Sequence, residues 1–127
     1  MGLKYLIDTN CINVLLLNTN LPLQKKINKG AELFLSVISI IEYFSNPKLS
    51  ATNKNLFEIL VNTCAVLDLH HSDNKLIQKV SSLRKKYNLK IPDGIIASQA
   101  ILNNLTLITN DADFKKIFGL QVEQLNQ

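Results

Sequence analysis

The sequence predicts an α/β protein, a largely parallel sheet covered by helices on both faces, and three observations lead there. Short apolar runs of β type alternate with segments of helical periodicity, capping and turn residues stand at their junctions, and no repeat or linker interrupts the order. Strands that alternate with helices are joined by crossovers, which make parallel neighbours. In such sheets the ligand site lies outside the carboxyl ends of the strands.

Lys4 to Ile7 is the first strand, and Asp8-Thr9-Asn10 breaks it with residues that favour turns and helix caps. Cys11 to Leu17 reads as a helix. Pro22 suits the first turn of another helix that reaches Lys29, with Gly30 as its stop. Ala31 to Val37 is the second strand; Ser36 or Ser39 caps a helix through Ile40, Ile41, Tyr43 and Phe44 that ends at Asn46-Pro47. Glu42 is the one polar residue in that apolar surrounding.

A helix from about Ser50 to Val61 carries Leu56, Phe57, Ile59 and Leu60 on one side, and Cys64 to Leu69 reads as a short buried strand. From Ser72 to Tyr87 the apolar positions Leu76, Ile77, Val80, Leu83 and Tyr87 follow helical spacing, with Lys75, Lys79, Arg84, Lys85 and Lys86 mostly elsewhere. Pro92-Asp93 opens a helix over Gly94 to Leu102. Thr106 to Thr109 forms the fourth strand, Phe114 to Phe118 a short helix, and Gln121 to Glu123 a last edge strand.

Composition sets the bounds. The chain of 127 residues, 46% hydrophobic and 19% charged, is expected to form one domain over residues 1–127 and is neither disordered nor of low complexity. It has no apolar run of about 18 residues, no signal-peptide core in Met1 to Asn20, and Leu6 where a myristoylation signal needs Ser or Thr. A soluble cytoplasmic protein with no membrane contact is expected. Cys11 and Cys64 lack metal-ligand spacing and read as buried free thiols.

Five of the ten acids, Asp8, Glu42, Asp93, Asp111 and Asp113, lie in segments that converge on the carboxyl edge of the sheet. The remainder carries 14 basic against five acidic side chains, net +9. A negative pocket in a positive surface suits a metal-assisted enzyme acting on a polyanion, though a merely solvated Lys-rich surface fits charge alone equally well.

Crowded carboxylates repel, and a hard divalent ion such as Mg²⁺ or Mn²⁺ removes that cost and activates water for attack at phosphorus. Singly, each acid has a bland explanation. Asp8 is good capping chemistry, Glu42 an exposed helix residue, Asp93 an N-cap beside Pro92, and one of Asp111 and Asp113 a cap before Phe114. Only their common location argues for a site. Asp8, Glu42 and Asp111 are put at the edge by the strands they follow, whereas the topology does not obviously force Asp93 there.

The strings YLIDTN, SVISIIEYFSNP and, above all, PDGIIASQAILNNLTLITNDADFKKIFGLQV resemble the PIN domain, and most of all the VapC-type toxins of bacterial toxin–antitoxin pairs. The resemblance runs in order over nearly the whole chain. It implies a three-layer α/β/α sandwich with a mostly parallel five-stranded sheet, and an endoribonuclease that gathers four acids around Mg²⁺ or Mn²⁺. Those acids fall on Asp8, Glu42, Asp93 and Asp111, with Asp113 a further acid of open rank among the metal ligands. Thr9 and Thr109 match hydroxyl positions near the metal pocket. Asn10 and Gly94 depart from the usual residues, and neither departure removes a ligand. The resemblance further implies an RNA substrate, a homodimer and a VapB-like antitoxin whose C-terminal arm fills the site.

Three other readings compete. A metal-independent ribonuclease needs an acid–base pair, and His70 and His71, adjacent and on opposite sides of an extended chain, make a poor one. A phospho-receiver domain has an acidic Mg²⁺ pocket, with Asp68 as the imaginable acceptor, yet it needs paired acids after the first strand and a Lys-Pro near the last, and neither is present. The third is a degenerate domain that binds RNA or protein without catalysis.

Overall fold

The computed structural model describes residues 3–17 and 21–125. Five strands, β1 (Lys4–Ile7), β2 (Glu32–Ser36), β3 (Ala65–Leu67), β4 (Thr106–Ile108) and β5 (Val122–Glu123), form one sheet in the order β3-β2-β1-β4-β5, with every pairing parallel. The helices are α1 (Ile12–Leu17), α2 (Leu21–Asn28), α3 (Val37–Phe44), α4 (Ala51–Thr63), α5 (Asn74–Tyr87) and α6 (Ile91–Leu102), with 3-10 turns at Thr9–Cys11 and Ala112–Lys116. No helix among the described residues is long and apolar enough to cross a membrane.

The central strand explains the layering. Alternate residues of an extended chain face opposite sides, so Tyr5 and Ile7 enter a core with Ile12, Leu35 and Phe57, while Leu6 enters a second with Leu83, Ile96, Ala97 and Leu107. The first layer holds α1 and α4, the second α5 and α6, and α3 gives Tyr43 to one and Ile38 to the other. Phe57, fully buried, packs on Tyr43 at a ring separation of 4.2 Å. Lys26 of α2 pairs with Glu123 and ties the β5 edge down.

Several boundaries and faces differ from the sequence expectation, each for a physical reason. Cys11 belongs to a 3-10 turn rather than to α1. Of the two candidate caps of α3, Ser36 accepts from the Ile38 amide, whereas Ser39 is buried inside the helix. Leu56 and Ile59 of α4 turn outward, 38% and 62% exposed, because the helix seats only the Phe57–Leu60 side on the sheet. Ile77 of α5 is likewise 47% exposed. β3 is only half-buried because it is the sheet's edge strand.

Strand order reverses between β1 and β4, the switch point at which open parallel sheets form their ligand crevice. Ile7 pairs in register with Ile108, so the next residue of each strand, Asp8 and Thr109, leave the sheet side by side. β3 lies two strands from β1. Asp68, just after β3, is therefore remote from Asp8, whereas a receiver domain sets its third strand beside its first. That strand order removes the receiver reading.

Candidate metal centre

Asp8 is the buried anchor of the site, 6% exposed. Its Oδ1 accepts from the Thr9 amide at 2.8 Å and its Oδ2 from the Thr109 hydroxyl at 2.7 Å. It does cap the first 3-10 turn, so capping and site membership coexist in one carboxylate. Burial chiefly raises its pKa above the ordinary 3.8, the two hydrogen bonds oppose, and the charges of Asp93 and Glu42 add to the rise.

Glu42 lies in the second turn of α3, which follows β2 without a loop. Its side chain is exposed at the rim but held: the Thr9 hydroxyl donates to Oε1 at 2.9 Å. The exposed-residue reading is thus correct for burial and incomplete for contact.

Asp93 is not a cap. The helix starts at Ile91 with Lys90 in the cap position, so Pro92 and Asp93 are its second and third residues. Its place at the sheet edge also has a topological cause. A helix that leads into a parallel strand packs antiparallel to it, so α6, which ends where β4 begins, must start at the carboxyl edge. Burial first, then the charges of Asp111 and Glu42, raise the Asp93 pKa; Lys90 opposes and Asp113 adds.

Asp111 is the cap of the last 3-10 turn: its Oδ1 accepts from the Asp113 amide at 2.9 Å, and its own amide donates to the Thr109 hydroxyl at 3.0 Å. Asp113 lies inside the turn and is exposed.

The donors are oxygens alone, carboxylates and hydroxyls, the set preferred by hard divalent ions over softer metals. Among the described residues, no three His, Cys, Asp or Glu side chains stand together at the spacing that would ligate one ion directly. The acids instead lie within electrostatic reach of one another: Asp8 feels Asp93 and Glu42, and Asp93 feels Asp111, Glu42 and Asp113. Mg²⁺ itself keeps several waters and takes only one or two carboxylates directly.

Two residues escaped sequence reasoning. Asn10 Oδ1 accepts from the Asn110 amide at 3.4 Å and from the Cys11 thiol at 3.1 Å, and Asn110 Oδ1 accepts from the Leu125 amide at 3.1 Å. They lace the two loops that carry Asp8 and Asp111. The one available signal was that both are Asn directly beyond a strand and its first polar residues. His70 and His71 lie exposed in the turn after β3, their rings stacked at 5.0 Å rather than opposed, and they line a groove with Ile91 and Ile95 of α6.

The PIN domain family model matches residues 5–119. Among curated proteins, no sequence matches the chain. Among solved structures, a VapBC2 complex from Rickettsia felis bound to a DNA fragment from its promoter has a TM-score of 0.80 at 24% identity, over 98% of this chain and 100% of that one. A toxin–antitoxin complex from Klebsiella pneumoniae has a TM-score of 0.72 at 25% identity, over 97% and 98%. VapBC-1 from nontypeable Haemophilus influenzae has 0.74 at 22% identity, also over 97% and 98%.

Proposed function

The chain belongs to the PIN domain family, and from that premise we propose that it is the VapC-type toxin of a toxin–antitoxin pair, a cytoplasmic endoribonuclease dependent on Mg²⁺ or Mn²⁺. The observation that carries this reading is the electrostatic load at the switch point. Asp8 and Asp93 both have raised pKa values, chiefly because both are buried, and neighbouring acids add to the rise, Asp93 and Glu42 at Asp8, and Asp111, Glu42 and Asp113 at Asp93. A fold gains nothing by collecting such charges unless a cation joins them.

Asp8, Glu42, Asp93 and Asp111 are the residues that would hold the ion, with Asp113 at the exposed margin. A divalent ion bound there supplies an activated water and neutralises charge on a phosphoryl oxygen. The chain's own part is orientation: Thr109 and the Thr9 amide fix both oxygens of Asp8, and the Thr9 hydroxyl fixes Glu42. The basic residues of α5 and its flanks, Ser72 to Lys90, steer the RNA backbone.

The antitoxin and homodimer readings draw support from apolar surface left open. A groove of about 390 Å³ beside α5 and α6 is lined by Leu69, Leu76, Ile77, Val80, Ile91 and Ile95. Ile77 and Ile91 are each about half exposed there. The neighbouring VapBC structures are complexes, which supports a VapB-like partner for this chain.

The test is cleavage of total RNA by purified protein with and without Mn²⁺, alongside Asp8→Asn and Asp93→Asn. Cleavage is expected only with metal and only in the wild type. Activity in EDTA, or in both folded variants, would sink the metal mechanism. RNA binding without metal-dependent cleavage would instead establish the non-catalytic module.

A further inference from the structure

Phe118 is the most exposed large apolar side chain among the described residues, at 86%. It is not a loose end. Its amide donates to the Tyr87 hydroxyl at 3.0 Å, Phe114 and Ile117 just before it are buried, and Gly119 turns the chain at φ +85 directly after it. An anchored backbone therefore projects a ring that gives the fold almost no burial energy. Three lysines lie on the two segments that meet at the hydrogen bond between Phe118 and Tyr87. Lys86 Nζ lies 5.4 Å from the centre of the Tyr87 ring, and Lys115 and Lys116 are exposed in the turn that leads to Phe118.

The patch also adjoins the acids through two short pieces of chain. Lys90, whose charge reaches Asp93, is three residues from Tyr87. Asp113, which Asp93 also feels, is five residues before Phe118, at most about 18 Å along the chain. A single strand whose phosphate sits at the acids can thus lay a base a few nucleotides away on the ring.

We propose that Phe118 is a stacking platform for an unpaired base of the RNA substrate, with Lys86, Lys115 and Lys116 holding the phosphates around it. This rests on the ribonuclease reading above and adds to it the residue that positions the strand. Exposed aromatics framed by cations are how proteins seize single strands, and stacking accepts any base. Lysine is depleted from the cores of protein–protein interfaces, which disfavours a protein as the occupant. The platform fixes where the strand lies and leaves base identity unread.

The experiment measures fluorescence anisotropy of a 5′-fluorescein-labelled single-stranded oligoadenylate in EDTA, where nothing is cut. Phe118→Ala should weaken binding about tenfold without changing the salt dependence, and Phe118→Trp should restore it. Replacing Lys115 and Lys116 by Gln should flatten the slope of log affinity against log salt by about 1.4, at roughly 0.7 for each phosphate that is no longer neutralised. A Phe118→Ala affinity within about twofold of wild type, or restoration by Phe118→Leu as complete as by Phe118→Trp, would overturn the platform. So would a change in oligomeric mass by light scattering in Phe118→Ala with RNA affinity intact, since the ring would then serve a protein contact. Wild-type protein that cleaves RNA while Phe118→Ala binds normally removes this proposal alone; wild type that neither binds nor cleaves RNA removes both.

Discussion

The Thr109 hydroxyl donates to Oδ2 of Asp8 at 2.7 Å and joins two residues 101 positions apart in the chain. The same oxygen accepts the Asp111 amide at 3.0 Å. One buried side chain thus fixes the relative position of two candidate ligands from different strands.

Thr109→Val keeps the shape and deletes both bonds. The Asp8 oxygen loses its donor and the Asp111 amide its acceptor in a buried place, which costs about 1–3 kcal/mol. A lower urea midpoint is expected in EDTA, together with a loss of RNA cleavage; Thr109→Ser should recover most of both. An unchanged midpoint in Thr109→Val would mean that the hydroxyl does not hold the loops together.

The raised acids predict an unusual pH response of the metal-free protein. Asp8 and Asp93 have folded pKa values above the ordinary 3.8, so the folded chain binds protons that the unfolded chain releases. Their contribution to stability is fully present below about pH 3.8 and is lost as pH rises through the folded values. In EDTA near neutral pH, Asp93→Asn should therefore melt no lower than wild type. Mn²⁺ should raise the wild-type melting temperature and leave the variant nearly unmoved. A clear drop in EDTA would make Asp93 a structural residue of the helix start.

Both thiols should be inert in the native state. Burial is the main cause that pushes Cys11 and Cys64 up to about 11 from an ordinary 9.0, with the Asp8 charge adding at Cys11. Two units leave about a hundredfold less thiolate at mildly alkaline pH. Alkylation by iodoacetamide, followed by mass spectrometry, should be at least that much slower in native than in urea-unfolded protein. Half-buried Cys64 is expected to react before fully buried Cys11. Rapid native labelling of Cys11 would contradict its burial beside Asp8.

What was legible in the chain follows from the range of the forces involved. The Tyr5-Leu6-Ile7 run and the turn residues after it are local signals, and they located β1 and Asp8 correctly. Ser36, one of two caps the sequence offered, closes onto its own helix two residues away. The sequence puts the start of the helix after Lys90 at Gly94, and it starts at Ile91, because Pro is tolerated inside the first helical turn as well as before it; that removes the cap as an alternative role for Asp93. The lacing by Asn10 and Asn110 was invisible, since it joins loops a hundred residues apart and has no local pattern. The outward turn of Leu56 and Ile59 was also beyond local reading. Periodicity names an apolar face without saying how wide a strip the sheet accepts.

Gly94 marks a close approach of α6 to α5. A Cβ there would stand 3.0 Å from Cγ of Arg84 and 3.3 Å from Cγ1 of Val80. Arg84 is not free to swing away at no cost, because its Nε donates to the Leu89 carbonyl at 3.0 Å, in the segment that leads to Asp93. Alanine gains about 1 kcal/mol of helix propensity. Against it stand about 1 kcal/mol for the broken bond and about 1–3 for crowding, so Gly94→Ala should destabilise by about 1–3 kcal/mol net. In an Arg84→Ala background the bond and most of the crowding are already gone, and the same substitution should cost at least about 2 kcal/mol less, measured by urea unfolding of all four proteins. Effects that add to within about 0.3 kcal/mol would show that the two side chains do not compete for this space.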